Sequence, residues 1–375
     1  MATGFIQTIA VHFDDLYDPR REASCVHDLY SLLVLALCAV LCGAEDFEAI
    51  AEYARSKRAF FESLVPLPDG TPSADTFRRV FEALEPEQFQ QCFITWTAAL
   101  AELSAGELVA VDGKTLRRSH DRSKGKAAIH MVSAWAGTNR LVLGQRKVDE
   151  KSNEITAIPE LLQALDLAGC VVTIDAMGCQ KAIAATIRAG EADYVLALKE
   201  NHPVLHDELE RFTGDLAAGR LPEYRVDYAE ESGQEHGRRE TRRCWVSEDL
   251  DWLQDKPLWQ GLRSVIRIES ERVTTAGTSR ETRLYLSSLP ADAARCAAYV
   301  RGHWGIENRL HWVLDVAFDE DRSRIRSGHG AQNFALLRHL VLNLLRRDKS
   351  VRLGVKNKRL KAAWDENYLR HLLTT

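Results

Sequence analysis

The feature that most constrains the fold is a series of short apolar segments in the middle of the chain, two of which end at an aspartate. Leu108–Val111 leads directly into Asp112, and Cys170–Ile174 leads into Asp175. Apolar runs of this length, bounded by turn residues, are typical of buried β-strands. Stretches with helical periodicity lie between and after them, so the pattern favours an α/β fold.

The order of the predicted elements is β-β-β-α-β-α-β, which is three strands in a meander followed by alternating units. Gly137-Thr138-Asn139 is a suitable hairpin turn between the second and third strands. The remaining elements of this region are strands at Ala128–Ala136, Arg140–Val148 and Tyr194–Leu198 and helices at Ile155–Leu165 and Lys181–Ala189. This order matches the ribonuclease H-like fold, a mixed sheet with helices on both faces.

The segments that flank this region differ from it in their pattern of apolar and polar residues. Residues 1–104 are predicted to be an all-α N-terminal domain, with a buried helix at Leu29–Ala44 and amphipathic helices at Asp46–Phe61, Ala74–Leu84 and Glu87–Leu103. Residues 219–290 are β-rich, with strand candidates at Tyr224–Tyr228, Thr241–Val246, Leu262–Ser270 and Arg283–Ser287. We interpret them as an insertion into a core formed by residues 105–218 and 291–347, followed by a basic C-terminal segment, 348–375.

The composition excludes several classes of protein. The longest apolar run, Leu29–Ala44, has 16 residues, fewer than the roughly 20 that a membrane-spanning helix needs. Eight cysteines are scattered without the paired spacing of a zinc site. We therefore expect a cytoplasmic protein with reduced thiols, without a membrane segment or an organic cofactor.

The charge is unevenly distributed. The net charge is −5, and residues 1–100 hold 15 acidic and 7 basic side chains. The positive charge is clustered in Lys114–Lys126 and Arg346–Lys361, with six and eight basic residues respectively. Such runs are usually solvated surfaces, but here they lie in the same part of the chain as the strand-end aspartates, which suits a site that approaches phosphates.

Asp112 and Asp175 are candidates for a shared site. Ligands in α/β folds gather outside the carboxyl ends of the strands, so the two carboxylates converge if their strands are neighbours. The alternative for each aspartate alone is an ordinary turn residue or helix cap.

A third carboxylate, Glu307, lies in the predicted helix Ala293–Phe318. Helical periodicity places it at the edge of the apolar face formed by Ile306, Leu310, Val313, Leu314 and Ala317, where we expect partial burial. A buried carboxylate needs a compensating partner. Mg²⁺ prefers oxygen ligands, and two such ions can activate a nucleophile and stabilise a leaving oxygen in displacement at phosphorus.

The chain resembles the H-repeat-associated, ISAs-type insertion-sequence transposases of the DDE superfamily. The resemblance runs nearly from end to end and rests on motifs in a fixed order. These motifs are His27-Asp28-Leu29, Leu35–Gly43, Asp75-Thr76-Phe77, Arg79-Val80-Phe81, Val111-Asp112-Gly113-Lys114, Ile174-Asp175-Ala176, Leu198-Lys199-Glu200-Asn201-His202, His236-Gly237-Arg238, His303–Asn308, His311-Trp312, Leu314-Asp315-Val316, Phe318 and Ser323–Arg326.

The resemblance implies a function and a set of ligands. Asp112, Asp175 and Glu307 would form the catalytic triad and hold two Mg²⁺ ions, for which Mn²⁺ is an expected substitute. The enzyme would hydrolyse the phosphodiester at each end of its own insertion sequence and join the resulting 3′-hydroxyl to target DNA. Its partners would be double-stranded DNA and further copies of itself, as a dimer or larger assembly, and the N-terminal domain would serve assembly or recognition of the DNA ends.

The sequence departs from the wider superfamily around the glutamate. Val300, His303 and Leu314 stand where those relatives have a tyrosine, an arginine and a lysine, so any role of those side chains in gripping the DNA end is in doubt here. The candidate DNA contacts are Lys114, Lys199, Asn201, Arg238, His303, His311 and Arg324.

Two alternative functions remain at this stage. A ribonuclease H-like nuclease would cleave DNA without joining strands, and it differs from a transposase only in its products. A domesticated DNA-binding regulator would have no catalytic activity, which the intact triad disfavours.

Overall fold

The computed structural model describes residues 4–21, 25–101, 103–120, 127–148, 153–235, 238–275 and 277–374. The N-terminal part is helical, as the sequence predicts. Its helices are α1 (Phe5–His12), α2 (Leu29–Leu41), α3 (Phe47–Ser56), α4 (Arg58–Glu62), α5 (Ala74–Ala83) and α6 (Pro86–Leu100). The helix predicted over Asp46–Phe61 is thus divided into α3 and α4. Ser73 caps α5, because its hydroxyl accepts a hydrogen bond from the Thr76 N–H at 3.2 Å.

Nine strands in the described part of the chain form one mixed sheet. In space the order is β3-β2-β1-β4-β5-β9-β8-β7-β6. The strands are β1 (Leu108–Leu116), β2 (Ile129–Ala136), β3 (Leu141–Lys147), β4 (Val171–Ile174), β5 (Asp193–Leu198), β6 (Asp227–Glu235), β7 (Arg238–Ser247), β8 (Ser264–Thr274) and β9 (Gly277–Ser287). Strands β1 to β5 form the ribonuclease H-like core, with β1, β4 and β5 parallel to each other.

Strand β1 is longer than its apolar pattern predicts. It pairs with β2 through Leu116, whereas its parallel pairing with β4 ends where Val111 lies opposite Ile174. The strand continues because the antiparallel neighbour still satisfies its backbone groups after β4 has ended. Asp112 therefore lies inside β1, although it is the first residue beyond the parallel pairing.

The β-rich insertion extends the core sheet, because β9 pairs antiparallel with β5. Its strands are also longer than predicted. Their outer halves are polar and carry cross-strand ion pairs, such as Arg243 with Glu230 at 2.9 Å and Arg280 with Glu271 at 2.7 Å. The apolar pattern in the sequence therefore marks only the buried half of each of these strands.

The core helices are α7 (Glu154–Gln163), α8 (Lys181–Ala189), α9 (Pro203–Ala217), α10 (Ala293–His303) and α11 (Trp312–Phe318). Helix α9 has no counterpart in the sequence analysis. The single helix predicted over Ala293–Phe318 is wrong in one respect, because a π-helical turn, Ile306–His311, separates α10 from α11.

The next helix is α12 (Gly330–Arg347). All residues from Asn333 to Leu345 are buried, and its apolar side chains share one core with α2, α5 and α6. Its polar residues bind buried backbone groups. Asn343 Oδ1 accepts from the Val142 N–H and its Nδ2 donates to the Val142 carbonyl, both at 2.9 Å.

The basic C-terminal segment forms helices α13 (Val355–Trp364) and α14 (Glu366–Thr374). Part of its charge is internal, since Lys358 and Arg359 are buried. Arg359 donates to the Val40 carbonyl at 2.6 Å and to Glu45 at 2.7 Å, which ties α13 to the N-terminal helices. In the described residues, every helix is too short or too polar to cross a membrane.

Candidate active site

Asp112 and Asp175 lie at the same place in the sheet. They directly follow Val111 and Ile174, the last residues paired between the parallel strands β1 and β4. Parallel neighbours end at the same edge of a sheet, so the register brings the two carboxylates together. Both residues are partly buried.

The loop after Asp175 is fixed by hydrogen bonds. Asp175 Oδ1 accepts from the backbone N–H of Met177 at 3.1 Å. From the other side, Asn201 Nδ2 donates to the Ala176 carbonyl at 2.8 Å, and His202 Nε2 lies 2.7 Å from the Cys179 carbonyl. Asn201, a predicted DNA contact, therefore holds the Asp175 loop in this structure.

Glu307 occupies the π-helical turn and is exposed, which corrects the prediction of partial burial. A π turn bonds residue i to i+5, so it contains one more residue than an α-helical turn. Ile306, Leu310 and Leu314 still face the core as predicted. The additional residue brings His311 to the buried side, while Glu307 remains accessible beside Asp112.

The electrostatics of Asp112 reflect this arrangement. Burial raises the pKa of Asp112 to about 7, and the negative charges of Asp175, Glu154 and Glu307 contribute in the same direction. A backbone hydrogen bond from Gly113 opposes the shift. The Asp112 carboxyl, which would ordinarily be ionised, thus lies close to several other negative charges. Such a set of oxygen donors suits a hard cation.

Two histidines, of which His311 is buried and His303 is half-buried, adjoin the aspartates. His311 Nδ1 lies 3.5 Å from Asp112 Oδ2, and burial lowers the pKa of His311 to about 4, helped by the positive charge of Lys114. His303 Nδ1 lies 2.9 Å from Thr173 Oγ1 on β4, and burial also lowers the pKa of His303. Burial thus favours the neutral form of both of these predicted DNA contacts.

Lys114 is also internal. Its ammonium lies 2.5 Å from Asp315 and 2.9 Å from Glu320, and its side chain is only 13% exposed. Glu320 in turn lies 3.6 Å from Arg338 on α12. Because its charge is already paired inside the protein, Lys114 does not offer a free ammonium to a DNA phosphate.

Sequence analysis missed one carboxylate beside Asp112. Glu154, in the first turn of α7, has a side chain that is 13% exposed and bonded through Oε1 to His130 Nε2. A Cβ on Gly113 would lie 2.5 Å from His130 Nε2 and closer still to Glu154. A glycine inside a strand often marks such a close approach, so Gly113 was the available signal.

The other predicted DNA contacts lie apart from these internal groups. Lys199 and Arg324 are exposed and Arg238 is half-buried at the start of β7. His236 and Gly237 of one motif, and residues 121–126 of the Lys114–Lys126 cluster, lie outside the described residues.

Comparisons with known proteins agree with this geometry. A model of the transposase DDE domain matches residues 104–344, and a model of the DDE_Tnp_1-associated region matches residues 10–97. The chain belongs to the DDE transposase family. Its ribonuclease H-like core and helical N-terminal region are those that the sequence analysis assigned.

Two relatives match almost the whole length of this chain, and a third matches three quarters of it. Putative transposase YncI of Escherichia coli O157:H7 is 39% identical over 99% of this chain and 95% of its own. H repeat-associated putative transposase YhhI of Escherichia coli K12 is 38% identical over 98% of both chains. An uncharacterised protein in the dhlA 3′ region of Xanthobacter autotrophicus is 45% identical over 75% of this chain and 94% of its own.

Proposed function

We propose that the protein is a metal-dependent DNA transposase. It binds the ends of its insertion sequence, hydrolyses the terminal phosphodiester and joins the 3′-hydroxyl to target DNA. The observation that supports the proposal is that Asp112 and Asp175 directly follow the last pair of the β1–β4 register. Glu307 supplies the third, accessible carboxylate from the π-helical turn.

The carboxylates of Asp112, Asp175 and Glu307 are of the chemical type that divalent cations prefer, although in the described part of the chain the three do not all lie within 4.8 Å of one another. The Asp112 side chain is 28% exposed and is surrounded by carboxylates. The nearest ammonium, that of Lys114, is paired with Asp315 and Glu320 instead. Asp112, Asp175 and Glu307 would hold two Mg²⁺ ions, or Mn²⁺ in their place. When bound, such ions activate the attacking oxygen and stabilise the leaving oxygen of an in-line displacement.

The neighbouring residues keep these carboxylates available. His311 remains neutral at neutral pH because of its lowered pKa, so it does not neutralise Asp112. Two hydrogen bonds orient the loop after Asp175. The Met177 N–H donates to Asp175, and the Asn201 side chain donates to the Ala176 carbonyl. Hydrolysis and strand transfer are both displacements at phosphorus, so one set of carboxylates serves both.

Double-stranded DNA is the proposed partner, bound by a dimer or larger assembly in the cytoplasm. Exposed basic residues are available for phosphates, namely Lys199, Arg324, Arg347, Lys349, Arg352 and Lys356. Phosphate contacts from such residues fix the position of a protein on DNA without reading its sequence.

The test is an assay of both reactions on DNA that carries the inverted repeats flanking the gene. Purified protein with Mg²⁺ should produce a 3′-hydroxyl at the repeat end and then a joined product with target DNA. Glu307→Gln should lose both products, and Glu210→Gln, an exposed change on α9, should retain them. Cleavage without joined product would identify a nuclease, and neither reaction with intact DNA binding would identify a regulator.

A further inference from the structure

A cavity of about 1230 Å³ is lined by strands β6 to β9 and by α10. Asn308 and Arg309 of the π-helical turn also line it, together with Trp135 of β2, so the cavity adjoins the turn that carries Glu307. Five of the six arginines in its wall are paired with carboxylates at 2.6–3.7 Å. Among the described residues, Arg309 is the exception.

Arg346, at the end of α12, joins two other segments beside Arg309. Its guanidinium carbon lies 4.4 Å from the centre of the Trp135 ring. One of its terminal nitrogens donates to the Arg309 carbonyl, and the other lies 3.4 Å from the carbonyl of Arg140 in the β2–β3 hairpin. Because one guanidinium reaches both carbonyls, three elements bring three arginines to one place. Arg140, Arg309 and Arg346 form the arginine cluster.

The arginine cluster has no acidic partner in the part of the chain that the structure describes. Burial lowers the pKa of Arg346 to about 9, and the positive charges of Arg140 and Arg309 act in the same direction. Two donors beside the cluster are also unsatisfied. Arg346 Nε and Trp135 Nε1 are buried and have no hydrogen-bond partner in the described residues, and Trp135 is 0% exposed. Buried donors ordinarily have an acceptor, so the missing partner of this place is an anion.

The arginine cluster lies on the face of the sheet that carries Asp112. Trp135 pairs with Ala110, two residues before Asp112 on β1, and Ala110, Trp135 and Ile306 share one core. Residues two apart in a strand share a face, so Trp135 is displaced from Asp112 by about 7 Å along the strand direction. That displacement corresponds to about two nucleotides of rise along a DNA strand.

We propose that the arginine cluster and the indole N–H of Trp135 bind a backbone phosphate of the DNA at the repeat end, beside the phosphodiester held at the carboxylates. The inference rests on the proposed function, because it names residues that position the same substrate. Guanidinium groups present several N–H donors and bind phosphate strongly. Arg140 and Arg309 are exposed, so an anion can reach them. The alternative is that these arginines are solvated and that Arg346 only packs on Trp135.

The test measures binding of the full chain, in EDTA, to terminal-repeat DNA in which one phosphate at a time is replaced by an uncharged methylphosphonate. The linkages around the repeat end are scanned on both strands. Wild type should lose about 10- to 100-fold in affinity at one linkage, as expected for hydrogen bonds to a charged group. Arg309→Gln and Arg140→Gln should bind unmodified DNA more weakly. They should lose less than wild type does at that linkage, because part of the contact is already gone.

The matched control is Arg280→Gln. Arg280 lines the same cavity but is paired with Glu271 at 2.7 Å, so this variant should keep the wild-type loss at each linkage. Both cluster variants change exposed side chains, and unfolding in EDTA confirms that each is folded. Arg346 is left unchanged, because its contacts with two carbonyls also support the fold.

The outcomes separate this inference from the proposed function. Equal losses for wild type and both cluster variants at every linkage would overturn the phosphate contact. Inorganic phosphate that stabilises wild type but not Arg309→Gln, with DNA binding equal in the two, would identify a site for a free anion and overturn it as well. Cleavage of unmodified DNA by wild type in Mg²⁺ is scored separately. Failure of cleavage with the expected linkage pattern would remove the proposed function alone, and failure to bind the repeat would remove both.

Discussion

The ammonium of Lys114 lies 2.9 Å from the carboxylate of Glu320, and the two side chains are 13% and 2% exposed. Glu320 is in the turn after α11, so the pair joins β1 to the segment that carries Glu307. An ion pair in this position holds the two parts of the candidate site together.

Removal of the ammonium should therefore destabilise the fold. Lys114→Met would leave Glu320 buried with a weaker partner, and breaking a buried pair costs about 3–5 kcal/mol. Chemical denaturation should show this loss. The control Lys256→Met breaks the ion pair with the fully exposed Asp251 and should change stability little. A Lys114 variant of unchanged stability with weaker DNA binding would support a phosphate contact instead.

Asn343 should be equally important for stability. Asn343→Leu would leave the N–H and carbonyl of Val142 without their partner, and each unpaired buried group costs about 1–3 kcal/mol. Denaturant unfolding of this variant measures the combined loss of stability from the two unpaired groups. Asn367→Leu, at an exposed position of α14, serves as the control and should change stability little. Equal stability of the two variants would contradict the role assigned to Asn343.

The raised pKa of Asp112 predicts a pH-dependent stability of the metal-free protein. The pKa of Asp112 is about 7 in the folded chain against an ordinary value of 3.8 for an aspartate. The folded state thus binds the proton more tightly, and its stability should fall as the pH rises from about 4 to 7. The shift corresponds to up to about 4 kcal/mol.

Asp112→Asn should remove the loss of stability that ionisation of Asp112 causes, and so stabilise the protein at pH 8 in EDTA. His311 and His339, with pKa values lowered to about 4 by burial, act in the opposite direction over part of the range. The informative quantity is therefore the difference in unfolding free energy between wild type and variant at each pH. A difference that does not change between pH 4 and 8 would contradict the pKa assigned to Asp112.

The C-terminal basic run should contribute to DNA binding through its exposed members only. Arg346, Lys358 and Arg359 make internal contacts, so their loss would test folding. A variant with glutamine at Arg347, Lys349, Arg352 and Lys356 should have a log–log salt slope shallower by about 2–4 units. Terminal and unrelated DNA should lose affinity alike. An unchanged slope would identify the run as a solubilising surface.

Much of the catalytic core could be predicted from the sequence, because strand ends at Asp112 and Asp175 are local signals. The apolar runs before them identify β1 and β4, and the order of elements identifies the fold. The exposure of Glu307 could not be predicted, since the π-helical turn depends on how the helix packs.

Other features depend on partners that are distant in sequence. Lys114 resembles an ordinary surface lysine until Asp315 and Glu320 are placed beside it. Asn333 and Asn343 of α12 bind buried backbone groups of Phe81 and Val142. Only the three-dimensional structure brings Glu154 to Gly113.

The most direct test of the central claim is the Mg²⁺-dependent cleavage of terminal-repeat DNA by Asp112→Asn, measured beside its DNA binding. The change retains the shape of the side chain but removes the charge that follows Val111 at the β1–β4 edge. We predict that cleavage falls to the level seen with EDTA while binding of the repeat remains that of wild type. Cleavage by the variant at a rate comparable to wild type would contradict the assignment of the site.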